Sequence, residues 1–350
     1  MLNYKFIHTN RRAFCLLLAL ITLNIAAWIL ALRFFSHYPT LFASAFLAYG
    51  FGLRHAVDAD HIAAIDNVTR KLMQQGQVPI GVGAFFSLGH SSIVILACAA
   101  IAATSMAFQT QMGWLHDYGS IIGTLVSALF LLTMALFNVL IFRGVFKRFR
   151  QIKKGESLQE SDLRALENVT PTGIMGWMYR FAFKFVTQSW QMYLIGFLFG
   201  LGFDTATEVG LLGISASGVH SGLSVWSIMI FPLLFASGMA LIDSLDNFVM
   251  IGAYGWAFKH PIRKLYYNMT ITMASALVAL FIGGLEALSL LADQFHLQGG
   301  IWDFIGNLSE NMGMVGYSVI ALFIFFWMAS TLYYRFKNYD HLEIQAIKKG

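Results

Sequence analysis

Eight apolar runs divide this chain, near residues 13–34, 41–67, 80–106, 119–142, 186–215, 225–254, 266–292 and 314–334. About 20 mainly apolar residues are needed for a helix to cross the hydrocarbon core, and in lipid every backbone polar group must be satisfied within the protein. The sequence therefore predicts an all-α, polytopic membrane protein with eight transmembrane helices. Composition agrees, since 57% of the 350 residues are hydrophobic and only 12% charged, far from the mix of a soluble domain. The first run lacks a small-residue cleavage site and reads as a retained helix rather than a secretory signal. Cys15 and Cys98 both fall in predicted spans, which argues against a disulfide framework and a thiolate metal centre.

Charge sets the orientation. With both termini cytoplasmic, the inner segments hold Lys5, Arg11 and Arg12, then Arg70 and Lys71, the stretch from Arg143 to Lys184, Lys259 with Arg263 and Lys264, and the basic C-terminal residues. The outer loops near 35–40, 107–118, 216–224 and 293–313 hold no Lys or Arg, as the positive-inside rule requires. The formal net charge of +5 thus needs no nucleic acid to explain it. The organisation predicted is an N-terminal transmembrane half over 1–142 (spans one to four), a cytoplasmic linker over 143–185 containing an amphipathic helix, and a C-terminal half over 186–350 (spans five to eight).

Against this apolar background stands Phe51-Gly-Leu-Arg-His-Ala-Val-Asp-Ala-Asp-His-Ile-Ala-Ala-Ile-Asp-Asn67. Each ionised side chain at the bilayer centre costs about 2.5–3.5 kcal/mol even on the lenient insertion scale, so the cluster needs pairing, a wet cavity or a bound ion. On one straight helix of 100° per residue, Asp60 points away from the face shared by His55 and Asp58. Either these side chains meet different partner helices, or Gly50 and Gly52 mark an irregular region that re-aims them. Imidazole beside carboxylate suits a divalent transition ion, making His55, Asp60 and His61 candidate ligands, with His90 of span three beside them. Arg54 reads as a structural counter-charge.

Further carboxylates lie in spans five and six. Asp204 and Glu208 are four residues apart and share a helix face, and Asp243 and Asp246 are one turn apart. Together with Asp58 they are candidates for a supporting shell, a metal path or proton coupling. Glu286 in span seven stands alone and reads as structural, and the outer-loop residues His37, His116, His220 and His296 read as solvated. Phe51-Gly-Leu53 recurs as Phe199-Gly-Leu201, and Phe86-Ser-Leu-Gly89 resembles Phe235-Ala-Ser-Gly238. Spans two and five run in opposite directions on the predicted topology, which suggests an inverted-topology repeat with a site near the midplane.

At these residues the chain resembles the nickel/cobalt transporter family (NiCoT), in particular the nickel permeases. The family signature His-x4-Asp-His matches His55, Asp60 and His61. Further family motifs match Leu88-Gly-His-Ser-Ser-Ile-Val94, Leu201-Gly-Phe-Asp-Thr-Ala-Thr-Glu208 and Gly238-Met-Ala-Leu-Ile-Asp-Ser-Leu-Asp246. Ser244 departs from the Thr of many relatives. The resemblance implies a secondary transporter that imports Ni²⁺, with Co²⁺ as a further substrate, across the bacterial cytoplasmic membrane. Its partners are then a divalent transition-metal ion and the lipid bilayer, without a resident cofactor. No Gly-x4-Gly-Lys-Ser/Thr loop is present, so this chain holds no ATP-hydrolysing domain. A passive cation channel or metal sensor is the alternative reading. An intramembrane metalloenzyme is a weaker one, because His-Glu-x-x-His is absent.

Overall fold

The computed structural model describes residues 2–103, 112–153, 186–201, 206–220, 223–257 and 261–336, and among them all regular structure is helical. The N-terminal part comprises α1 (Leu2–Phe35), α2 (Pro39–His55), α3 (Ala59–Gln74), α4 (Val82–Ala103) and α5 (Met112–Lys153). After a short 3-10 turn at Ser189–Gln191 come α6 (Met192–Phe199), α7 (Ala206–His220) and the single turn α8 (Val225–Ile228). The chain continues through α9 (Ile230–Ala257), α10 (Pro261–Phe295), α11 (Ile301–Glu310) and α12 (Met312–Phe336).

Among the described residues, six stretches are long and apolar enough to cross a membrane: Arg11–Phe35, Val82–Ala102, Ile121–Lys147, Val225–Gly255, Met269–Phe295 and Met312–Tyr334. The two other runs expected to span, 41–67 and 186–215, are each divided into two shorter helices, α2 with α3 and α6 with α7. The first break has a local cause. The last turn of α2 tightens, with Val57 donating to the Arg54 carbonyl and Asp58 to the His55 carbonyl at 3.0 Å each, the i→i−3 pattern of a closing helix end. Asp58 then adopts an extended backbone and opens α3. The second break follows Gly200, and residues 202–205 lie outside the described residues.

Two apolar clusters hold the helices together. One joins α3, α5, α6, α10 and α12 through Ile65, Leu131, Met192, Ile282 and Val319, and the other joins α1, α2, α4, α7 and α9 through Ala31, Ala48, Val94, Leu211 and Phe235. Helices meet with little room at several glycines. A Cβ on Gly52 of α2 would strike the backbone of Phe235 on α9, and one on Gly196 of α6 would strike the backbone of Phe86 on α4. Small residues at such crossings let membrane helices approach closely and gain dispersion contacts, since lipid removes most of the hydrophobic drive. The expected outer loop 293–313 contains a short amphipathic helix, α11, whose Ile305 is buried. In the expected linker, 143–153 continue α5 and 154–185, including its proposed amphipathic helix, fall outside the described residues.

Candidate metal centre

The break between α2 and α3 turns one helix into two arms that end at the same place. His55 is the last residue of α2 and His61 lies in the first turn of α3. Asp58 occupies the position where a carboxylate ordinarily caps the new helix, yet makes no side-chain cap bond. Its Oδ2 instead lies 2.9 Å from His55 Nδ1. The cap is given up to orient an imidazole.

Three rings converge. His55, His61 and His90 each offer a nitrogen, and these atoms all lie within 4.8 Å of one another; the side chains are almost completely buried, at 2%, 0% and 3% exposure. His55 Nε2 and His90 Nε2 are 2.9 Å apart. Glu208 Oε1, from the first turn of α7, lies 2.9 Å from His90 Nε2 and 3.9 Å from His55 Nε2. Asp243 of α9 stands 3.4 Å from His61 Nδ1. Carboxylates at Nδ1 of His55 and His61 favour the tautomer with a proton there, which leaves the Nε2 lone pairs facing inward. His61 Nε2 is buried with no hydrogen-bond partner among the described residues. Thr207 Oγ1 adds a contact to His55 Nδ1 at 3.2 Å.

This donor set has the chemistry of a transition-ion site. Buried imidazole nitrogens with carboxylate oxygens beside them are donor types that suit a divalent transition ion, and the three nitrogens are close enough to be bridged by one ion. The helix termini contribute as well. α2 and α6 point their C-terminal, electronegative ends at the break regions, and α3 and α7 their N-terminal ends, which favour the carboxylates Asp58, Asp60 and Glu208. Phe86 packs edge-on against His61 at 4.8 Å between ring centroids, and Phe235 lies 5.6 Å from His55. These rings wall the centre in low dielectric.

The other candidates sort by position. Asp60 lies beside His61 in the first turn of α3, partly exposed and outside the three-histidine group. Arg54 is exposed on α2, forms no ion pair among the described residues, and borders Gly313 together with Asp58. Asp246 sits one turn beyond Asp243 and lines a cavity of about 330 Å³ between α9, α10 and α12. Ser244 is fully buried next to Asp243. Asp204 lies outside the described residues. Glu286 is buried away from the centre, where Ser127 Oγ donates to it at 2.9 Å. His37 and His296 are exposed, while the side chains of His116 and His220 lie outside the described residues.

Residues 41–333 match the family described as high-affinity nickel-transport proteins (NicO). The chain is 51% identical over 327 residues to a high-affinity nickel transport protein of Cupriavidus necator, covering 93% of each sequence. It is 41% identical over 310 residues to the high-affinity nickel-transport protein NixA of Helicobacter pylori, covering 88% of this chain and 93% of that one. It is 37% identical over 301 residues to the cobalt transport protein NhlF of Rhodococcus rhodochrous, covering 85% of this chain and 84% of the relative. No solved structure matches the chain.

Proposed function

The chain belongs to the family of high-affinity nickel-transport proteins, and on that premise we propose that it imports Ni²⁺ through the three-histidine centre by alternating access. It is a transport protein and not an enzyme, and the metal is its cargo rather than a resident cofactor. The observation that carries the reading is the meeting of three buried imidazoles, from both arms of a broken helix and from α4. Nitrogen donors with a few oxygens suit Ni²⁺ or Co²⁺ better than Mg²⁺ or Ca²⁺. Co²⁺ is the second cargo, in keeping with a cobalt transport protein among the relatives. In this proposal His55, His61 and His90 ligate the ion, Asp58 and Asp243 orient rings, Glu208 closes the centre from α7, and Asp60 draws the ion in.

The membrane architecture follows the same logic. α2 with α3, and α6 with α7, each complete one crossing, so eight spans place both termini in the cytoplasm of a bacterial cell. The two transmembrane halves, 1–142 and 186–350, are related by an inverted repeat. Three pairs of features support it. Both divided crossings carry Phe-Gly-Leu at or next to the end of their first helix, at 51–53 and 199–201. The matched Phe86 and Phe235 each face a histidine of the centre. Gly52 sits against the Phe235 backbone and its counterpart Gly200 against that of His90, so each half's divided crossing packs on the other half's next helix. Discontinuous helices at a repeat interface are the usual frame of a transporter site. Inward movement is favoured by about 2.3 kcal/mol per elementary charge per 100 mV, twice that for a divalent ion.

The test is radiolabelled Ni²⁺ uptake by proteoliposomes, with Co²⁺, Zn²⁺ and Mn²⁺ as competitors. The His55→Ala, His61→Ala and His90→Ala proteins should lose uptake, and Asp60→Asn should reduce it. Near-normal uptake by all four variants would sink the site assignment.

A further inference from the structure

Two turns beyond His61, α3 is ringed by polar side chains that the metal centre does not use. Asp66, Asn67, Thr69 and Arg70 are all at most 1% exposed. Tyr254 of α9 donates its hydroxyl to Asp66 Oδ1, and Ser275 of α10 donates to Asp66 Oδ2 at 2.7 Å. Arg70 donates to Thr272 of α10 at 3.0 Å, to Asn67 at 3.4 Å and to Asn138 of α5. Thr69 donates to Asn247 of α9 at 2.6 Å, and Asn247 in turn donates to the carbonyls of Pro79 and Ile80. One turn of α3 is thereby tied to α5, α9, α10 and the segment before α4.

Such a belt is costly if it serves packing alone. A buried guanidinium loses its water and needs its partners in good geometry, and apolar side chains of the same volume would seal the bundle as well. Hydrogen-bonded side chains have one property that apolar packing lacks: water can replace their partners when the helices part. The belt also adjoins open space. Tyr254 and Asp246 border a groove of about 330 Å³ between α9, α10 and α12, whose other walls are mainly apolar and include the exposed Val249, Ile324 and Trp327. Asp246 Oδ2 is buried without a hydrogen-bond partner among the described residues. From Asp243 at the metal centre the next carboxylate along α9 is thus Asp246, and about two turns on comes the Tyr254 ring held by Asp66.

We propose that the Tyr254–Asp66 contact and the Arg70 belt around it are the gate on the side where Arg70 and Lys71 lie, and that the metal leaves past Asp246 when this contact parts. The gate is shut in this structure. From His61 to Asp66 is five residues, about 7.5 Å along the helix, so the gate is distinct from the ligand shell and its opening need not disturb the rings. This inference rests on the transport reading, and its test is arranged to fail separately from it.

The test uses the full chain with Cys15→Ser and Cys98→Ala, one new cysteine at Ala64, and sealed vesicles of defined orientation. Ala64 is fully buried on α3 between the centre and the belt. A membrane-impermeant methanethiosulfonate is applied from the face bearing Arg70. Labelling should be slow in the parent and about tenfold faster in Tyr254→Phe and in Ser275→Ala, because one lost buried hydrogen bond shifts a local opening equilibrium by that order. A second reporter at Ala48 of α2, also fully buried, should stay slow in every variant. Ni²⁺ binding by the purified variants should stay within about twofold of the parent, as the ligand shell is untouched. Equal labelling of the Ala64 reporter in parent and variants overturns the gate, and so does a matching rise at Ala48, which would mean general loosening. Should one variant fail to yield intact protein, the other gives the same readout. Absent Ni²⁺ uptake in the parent vesicles would overturn the transport reading, whereas normal uptake with unchanged labelling overturns the gate alone.

Discussion

α3 and α7 both start at the histidine centre, and they differ in what holds them down. α3 carries Asp66, Asn67, Thr69, Arg70 and Lys71, all buried, and is anchored by side-chain hydrogen bonds to three other helices. α7 carries Gly210, Gly213, Ser215 and Gly218 at comparable distances from its start, and packs through Leu211 and a Ser215 contact to Cys98 at 3.4 Å. On the proposed topology these arms lead to opposite faces of the membrane. One arm is tied by bonds that water can replace, and the other packs through apolar contacts such as Leu211 and the Phe51 ring against Gly210. On the proposed alternating-access reading the two arms would open in turn, and the asymmetry predicts a different sensitivity to mutation for each.

The largest effect should come from the centre that both arms share. His61→Ala removes the donor with the unpartnered Nε2, and Ni²⁺ uptake should fall by about 100-fold or more, as for loss of a direct ligand. Asp243→Asn keeps the shape but weakens the orientation of His61, and should reduce Ni²⁺ affinity about 10- to 100-fold in equilibrium binding. On the α3 side, Asn247→Ala removes the link from Thr69 to the carbonyls of Pro79 and Ile80. It should lower the stability of the purified protein by about 2 kcal/mol, read as a lower Tm, because buried partners are left unsatisfied. On the α7 side, Ser215→Ala removes one weak contact to sulfur and should cost less than about 1 kcal/mol. Equal losses for Asn247→Ala and Ser215→Ala would erase the contrast between the two arms.

Much of this was legible in the sequence, for reasons that can be named. Apolar run length marks six crossing helices among the described residues, while the runs 41–67 and 186–215 are each divided, and the angular spread of His55, Asp60 and His61 shows that one straight helix cannot aim all three at one point. The break itself falls at 56–58, after Gly52, where the Asp58 carboxylate bonds His55 in place of the helix end. Glu208 and Asp243 were visible as carboxylates in apolar runs, and folding decides which imidazole each meets. The belt was not legible. Arg70 and Lys71 counted as positive-inside charges, which describes where a residue lies along the membrane normal but not whether water or protein surrounds it. Arg70 is 1% exposed and Lys71 6%. Asn138 and Tyr254 carry no local signal at all, since their partners are 68 and 188 residues away. The α11 helix lies in a stretch that the sequence presents as an outer loop, because a ten-residue amphipathic segment is too short to register as a span.

The central claim is that the cargo ion is held by His55, His61 and His90 together. X-ray absorption at the nickel edge, on the Ni²⁺-loaded protein and on His61→Ala, tests it most directly. The account predicts imidazole scattering from about three rings in the parent and a loss of one ring's contribution in the variant. A nickel environment made only of oxygen donors, or one unchanged by His61→Ala, would contradict it.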